Sequence, residues 1–258
     1  MINLRRLPLT REMSIAVLLY LYIPIVVLVF YSFNANRTAT VWIEFSLHWY
    51  ERILIDQSIR VATWNSLVIA TFAAVGSTII ALLAALATAK PFRGFAIVEA
   101  ILNTPLILPE IVVAVATLLL FMTIGFDLGL GVMTAAHVAF CIPFAYLPIR
   151  ARLTDMSPSL TEASQDLYAN RYRTFRFITL PLLWPGILAG FTLAFVASLD
   201  DFITSFFLSG PGTTTLPVYI FSAIRAGVTP EINAISTLML AISVTLVVLS
   251  YIIGKLRR

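Results

Sequence analysis

Long apolar runs separated by short polar stretches dominate the chain. Crossing the hydrocarbon core takes roughly 20 apolar residues in a helix. Six runs meet or approach that length: Met13–Phe33, Val61–Ala89, Phe95–Ile124, Leu130–Ile149, Ile178–Leu208 and Ile232–Gly254. They are continuous rather than alternating, which argues against a transmembrane β-barrel. The second, third and fifth are longer than a bilayer requires, which predicts tilt, a kink or extension beyond the membrane. Asn34 to Arg60 reads as an outer loop with a short amphipathic piece around His48–Leu54. Thr154 to Thr174 is too polar to span. The expected fold is all-α, a polytopic membrane protein of six transmembrane helices forming one domain over residues 1–258, with a cytoplasmic loop at 154–176.

Composition agrees with this pattern. The chain is 60% hydrophobic and 12% charged, against roughly 25% charged in an average soluble domain. Mean hydropathy is +0.95. Charge then sets orientation, because Lys and Arg concentrate in inner loops. With the N-terminus inside, only Arg37, Arg52, Arg60 and Arg225 of the 17 basic side chains fall outside. Both termini are therefore expected in the cytoplasm. The same bias accounts for the basic pI of about 9.4 without a nucleic-acid partner. The first apolar run is too long for a signal peptide and no A-x-A pattern follows it, so it reads as an anchor. Cys141, the single cysteine, cannot form an intrachain disulfide and reads as a small packing residue. No Cys/His cluster with metal spacing and no internal repeat occurs.

The loop Thr154 to Pro185 reads TDMSPSLTEASQDLYANRYRTFRFITLPLLWP. Ser157 can cap a helix that has Pro158 in its first turn. Ser159 and Glu162 also have capping-box spacing. Leu160, Ala163, Leu167 and Tyr168 fall on one face of a short amphipathic helix. Asn170 could end it, because Asn accepts the left-handed conformation. A basic run, Arg171, Arg173 and Arg176, follows. Such a helix can lie in lipid headgroups, connect two spans in solvent, or dock into a cytoplasmic partner, and amphipathicity alone does not choose.

The spacing does carry a resemblance. Glu162-Ala163-Ser164, three residues, Tyr168, nine residues and Ile178-Thr179-Leu180-Pro181 resemble the "EAA" loop of binding-protein-dependent ABC importer permeases. That loop reads Glu-Ala-Ala, three residues, Gly, nine residues, Ile-x-Leu-Pro. Ser164 replaces an Ala and Tyr168 replaces the Gly. Ser198 to Ala234, with Leu199-Asp200-Asp201, Gly210-Pro211, Leu216-Pro217 and Thr229-Pro230-Glu231-Ile232-Asn233-Ala234, is similar to the spermidine/putrescine branch, C-type subunit. Tyr22-Ile23-Pro24, Ser32-Phe33-Asn34 and Pro109-Glu110-Ile111 extend the match along the chain. The branch also holds permeases for opines and γ-aminobutyrate.

The resemblance implies a type I ABC importer permease in the bacterial inner membrane. It implies a second permease subunit in a heterodimer, two ATPase subunits and an extracytoplasmic solute-binding protein as partners. It also implies coupling to ATP through Glu162, Ala163, Ser164, Tyr168, Leu180 and Pro181. No Walker G-x-x-x-x-G-K-[ST] occurs in the chain, so no cofactor is expected here and ATP with Mg would be bound by the partner ATPase. The Leu208-Ser209-Gly210-Pro211-Gly212 stretch reads as a Gly/Pro turn.

Acids inside the spans are the remaining chemistry. A carboxylate at mid-membrane costs about 2.5–3.5 kcal/mol on insertion scales, and such residues mark bundle interiors and substrate paths. At helical spacing along the fifth span, Gly190, Ala194, Ala197, Ser198, Asp201, Thr204 and Ser205 form a small, polar stripe. Asp200 falls on an apolar stripe beside it. Asp201, with Ser198 and Thr204, then lines a pathway or a helix-packing face, while Asp200 meets another helix or the partner permease. Pro105 and Pro109 free backbone carbonyls beside Glu110, a combination suited to cations or to a simple kink. His137 reads as a packed hydrogen-bonding residue. Trp49 is an interfacial anchor or a stacking surface for an amine, and Tyr50 an anchor. Three carboxylates suit a polyamine or another amine-bearing solute better than sulfate, phosphate or molybdate. Two readings from other classes remain: an ion-coupled secondary transporter, and an intramembrane enzyme built on Cys141 and His137.

Overall fold

The computed structural model describes residues 10–36, 41–90, 92–227 and 229–256. Five of the basic side chains used for orientation, Arg5, Arg6, Arg37, Arg257 and Arg258, lie outside the described residues. The helices in chain order are α1 (Thr10–Tyr31), α2 (His48–Ile55), α3 (Gln57–Ala87), α4 (Phe95–Ile107), α5 (Glu110–Thr123), α6 (Leu130–Thr154), α7 (Pro158–Asp166), α8 (Arg171–Thr174), a π-helical turn (Phe175–Thr179), α9 (Leu180–Asp200), α10 (Ile203–Leu208), α11 (Leu216–Ala226) and α12 (Pro230–Leu256). Among the described residues the only β feature is an isolated bridge between Asn34 and Phe45. Five helical stretches are long and apolar enough to cross a membrane, and the pair α4/α5 makes a sixth if it is one broken span.

Two expected spans are not single helices. α4 and α5 are bent by 106° at Leu108–Pro109, far more than a proline kink in a continuous helix. Pro109 has no N–H to continue the ladder and disfavours helical backbone in the residue before it; Leu108 is extended (φ −76°, ψ 144°). α5 then restarts with Glu110 in its first turn, where the helix dipole favours a carboxylate. The fifth span stops at Asp200. Asp201 is extended (φ −66°, ψ 119°) and a new short helix follows. The helical stripe expected to run on through Asp201, Thr204 and Ser205 is therefore interrupted, and side-chain directions after Asp200 follow tertiary contacts instead.

The chain forms two compact units, residues 1–57 with 220–241, and residues 58–219 with 242–258. In the first, Asn34 organises the segment after α1. Its Nδ2 donates to Val41 O at 2.7 Å, and its Oδ1 accepts from Ile43 N at 3.1 Å. Trp49 Nε1 donates to Asn34 O at 2.8 Å, and the Tyr50 hydroxyl bonds Ser32 Oγ at 2.6 Å. Arg52 pairs with Glu231 at 3.5 Å.

The second unit is built on α6 against α9. Its core is unusually small in side-chain size: Ala74, Ala81 and Ala85 of α3, Cys141 and Ala145 of α6, and Ala194 of α9, with Tyr146 and Ile149 as the larger fillers. Small residues let helix backbones approach, which is how membrane helices gain packing where lipid removes the hydrophobic drive. Gly190 faces the backbone of Ala145 so closely that a Cβ would lie 2.6 Å from its carbonyl oxygen. Polar pins add register. Tyr146 OH bonds Thr88 Oγ1 at 3.0 Å, and Arg152 Nε donates to Leu182 O at 3.1 Å. Asn65 of α3 donates to the carbonyls of Gly212 and Thr214, and Ser66 Oγ accepts from Leu216 N, fixing the turn after α10.

The polar loop folds as two helices. Ser157 is the N-cap of α7 with Pro158 at N1, but its hydroxyl bonds Ser159 Oγ at 2.6 Å rather than the helix backbone. Ser159 is not the N-cap, so the Ser159–Glu162 capping box is not the start of the helix. α7 closes with a Schellman pair: Ala169 N donates to Ser164 O at 3.0 Å and Tyr168 N to Gln165 O at 2.9 Å. The left-handed position is Tyr168 itself, at φ 58°, the one non-glycine residue with positive φ among the described residues. The turn therefore stays at the position where the resembling loops have Gly. A left-handed L-residue costs about 1–2 kcal/mol. Asn170 does not end α7. It caps α8, its Oδ1 accepting from Arg173 N at 2.8 Å. Ser164, buried, bonds Thr174 Oγ1 at 2.9 Å and ties α7 to α8. The π turn before α9 brings Leu180 N to Phe175 O, a register that absorbs the N–H missing at Pro181.

Candidate functional site

Both helix breaks deliver an acid to the same place. α10 packs on α5 and on α6, which brings Asp201 at one break beside Glu110 at the other, with His137 of α6 and Ser198 of α9 completing the group. Asp201 is buried. Its Oδ2 accepts from Ser205 N at 2.9 Å and its Oδ1 faces Thr204 N at 3.4 Å, so the carboxylate takes two of the N–H groups that the start of α10 leaves unpaired. Oδ2 also lies 3.1 Å from His137 Nε2. His137 Nδ1 is 2.7 Å from Ser198 Oγ, and its Nε2 is 3.2 Å from Ser205 Oγ. A proton on Nε2 directed at Asp201, with Nδ1 accepting from Ser198, satisfies these two contacts, and Ser205 Oγ can then only share the Nε2 proton as a second acceptor. Glu110, half-buried at the start of α5, lies beside Asp201 and interacts with it through its side chain.

The sequence-predicted residues fall into three places. Asp201, Glu110, Ser198 and Thr204 come together in this cluster. Asp200, one residue away, ends α9 exposed and, among the described residues, makes no hydrogen bond or ion pair. Trp49 belongs to the other unit, buried, with Arg52 covering its ring at 5.9 Å, so the cation-binding face it could offer is occupied within its own segment. Tyr50 stacks on Phe33 at 5.2 Å. The coupling residues Glu162, Ala163 and Tyr168 are exposed, Ser164 is buried in the loop, and Leu180 and Pro181 open α9. Ser205 was visible in the sequence only as a small residue. Its role depends on the break before α10, which no Gly or Pro announces. Among the described residues no group of three metal-ligating side chains occurs.

Cys141 does not meet His137 as a nucleophile would meet its base. Its Sγ turns to Ala194 O at 3.4 Å, while both His137 nitrogens are engaged elsewhere. Cys141→Ser keeps a donor for the same carbonyl. We expect solute uptake to be unchanged and the melting curve in detergent to move by no more than about 1 kcal/mol.

Helices long and apolar enough to cross a membrane, with acids gathered at two helix breaks, fit a membrane transport subunit, since unwound backbone inside a membrane protein is tolerated where it is buried in protein or lines a cavity. A profile of the binding-protein-dependent transport system inner membrane component matches residues 77–256, and the chain belongs to that family. It is therefore the membrane permease component of an ABC importer, a subunit that does not itself carry the catalytic site. That membership sets aside both the secondary-transporter and the intramembrane-enzyme readings. The chain is 41% identical to the spermidine/putrescine transport system permease protein PotC of Haemophilus influenzae over 225 residues, 87% of this chain and 88% of that one. It is 40% identical to the putrescine transport system permease protein PotI of Escherichia coli K12, over 81% of this chain and 78% of that one. Among solved structures, a bacterial ABC transporter involved in alginate import superposes with a TM-score of 0.73 at 17% identity, covering 95% of this chain and 92% of that one. A chain of the MetNI methionine ABC transporter in an inward-facing conformation gives 0.65 at 17% identity, covering 76% and 94%. These two likenesses bear on the fold, that of type I importer permeases.

Proposed function

We propose that this chain forms half of a translocation pathway for small cationic solutes, with polyamines of the spermidine and putrescine kind foremost. The observation that carries the reading is the meeting of Glu110 and Asp201 at two helix breaks. An ammonium group entering between them is met by two acids at once and donates hydrogen bonds to both, which offsets the loss of its own hydration in the membrane interior. Asp200, exposed at the end of α9, offers a second carboxylate to an amine at the other end of a flexible chain or to the neighbouring permease. The names of the relatives at about 40% identity support the same substrate class. Other amine-bearing solutes, opines and γ-aminobutyrate among them, suit the same acids. The pathway is completed by a second permease subunit, an extracytoplasmic binding protein delivers the solute, and two ATPase subunits holding ATP and Mg engage the loop at 154–176. Both termini then lie in the cytoplasm.

Reconstitution with the partner permease, ATPase and binding protein, scanning amines for uptake and for stimulated ATP hydrolysis, tests the substrate class. Stimulation by an anion with silence from every polyamine would sink it. For the loop, Glu162→Ala is expected to reduce solute-stimulated hydrolysis about tenfold, the effect of losing one charge-assisted contact, while leaving the permease folded, because Glu162 is exposed on α7. Full stimulation in that variant would remove Glu162 from the coupling surface.

A further inference from the structure

The tip of the 154–176 loop shows a local conflict. Tyr168 occupies a left-handed backbone position (φ 58°) that favours Gly or Asn, and its side chain is 96% exposed, so no packing within this chain offsets the strain. Its neighbours are no better covered. Leu167 is 82% exposed and Tyr172 is 70% exposed. Strain without an internal return marks positions selected for an external contact, and clustered exposed apolar side chains mark interaction sites.

We propose that Tyr168, flanked by Leu167 and Tyr172, is an aromatic knob that inserts into an apolar recess of the ATPase subunit. This rests on the reading of the loop as the ATPase-docking element. The positive φ places the ring at the turn between α7 and α8, where it projects from the loop, and a glycine would present only backbone there. Charge favours a protein groove over a lipid surface. The acids Glu162 and Asp166 are exposed on α7, before the knob, and the exposed Arg171 and Arg173 follow it. A recess with lips of opposite sign complements both sides. An anionic headgroup layer attracts the arginines and repels the acids. Tyr is also a residue in which interface binding energy concentrates.

The test uses the permease pair in liposomes or nanodiscs with purified ATPase subunit. Tyr168→Gly and Tyr168→Asn both relieve the backbone by different chemistry, and Tyr168→Phe keeps the ring. We expect the first two to melt at or above the wild-type temperature and to bind the ATPase at least tenfold more weakly, with Tyr168→Phe within about threefold of wild type. Wild-type affinity and wild-type stimulated hydrolysis in Tyr168→Gly would overturn the proposal and leave Tyr168 as a strained turn. An environment-sensitive probe on Tyr168→Cys, in a Cys141→Ser background, is expected to shift to the blue only when ATPase is added. A full shift in liposomes alone would place the ring in lipid and equally overturn it. Glu162→Ala and Ala163→Asp separate the two levels. If they release the ATPase while Tyr168→Gly does not, the knob alone is wrong. If none of them affects association, the docking reading of the loop falls and the knob falls with it.

Discussion

Asp201→Ala is expected to abolish uptake and to lower the stability of the folded permease by about 3 kcal/mol. The figure combines a lost helix-start contact, typically about 1 kcal/mol, with a lost hydrogen bond to a charged group at about 1.5–3 kcal/mol. Asp201 holds three jobs at once: it pairs with His137, takes the free N–H groups of Thr204 and Ser205, and meets Glu110. Asp201→Asn separates them. Asn keeps an oxygen for Ser205 N and is a good helix-start residue, so most of the fold survives, but the charge is gone. We expect assembly to be retained and uptake to fall ten- to a hundredfold, the equivalent of one charged contact. Undiminished uptake in Asp201→Asn would reduce the residue to a structural cap. A double-mutant cycle with His137→Gln then measures the pair. An interaction of at least 1 kcal/mol between the two changes is expected of groups in direct contact.

Gly190→Leu is expected to prevent accumulation of folded protein, and even Gly190→Ala to be destabilising by about 1–3 kcal/mol. The sign is informative because Gly to Ala inside a helix ordinarily gains about 1 kcal/mol. Here the added Cβ would stand 2.6 Å from Ala145 O and 3.2 Å from Ala145 Cα. Both are main-chain atoms of the opposing helix, which no rotamer change can move aside. Gly254 is the control. A Cβ there would lie 3.8 Å from Pro185 Cβ, an ordinary contact, so Gly254→Ala should be neutral or slightly stabilising. Thermal unfolding in detergent, followed by size-exclusion fluorescence, reads both. Equal melting of the two alanine variants would mean that α6 and α9 are not held backbone to backbone.

The spans were legible because hydrophobicity over some 20 residues is a strong, local signal. The start of α7 was legible in the same way from Pro158, whose fixed φ suits the first turn locally, although the Ser157 hydroxyl turns to Ser159 instead of the helix backbone. The breaks were not. Pro105 and Pro109 announced a disturbance in the third span but not a bend of 106°. Nothing announced the one at Asp201, because Ile203, Phe206 and Phe207 continue the apolar pattern across it. That break is held by a carboxylate on Thr204 and Ser205 and by an imidazole arriving from α6, contacts far apart in sequence. The helical stripe that put Asp201 beside Ser198 reached a grouping that the structure makes by another route. The same stripe assigned Asp200 to another helix or to the partner permease; it is exposed at the end of α9, which leaves it open to the second of these. Turn rules also misplaced the loop's left-handed residue. They favour Asn170 over Tyr168, and the Schellman bonds to Ser164 and Gln165 decided otherwise.

The close seam between α6 and α9 has a mechanical meaning. Side-chain layers between helices can shear, because rotamers yield before backbones do. Where Gly190 lets main chain touch main chain, that compliant layer is missing and the two helices translate as one stiff bar. α9 is about 30 Å long at 1.5 Å per residue. One end carries the 154–176 loop through the π turn, and the other ends at Asp200, beside the carboxyl pair. A displacement imposed at the loop therefore reaches the acids nearly undiminished, and the parts free to give are the π turn and the unwound residues at Asp201.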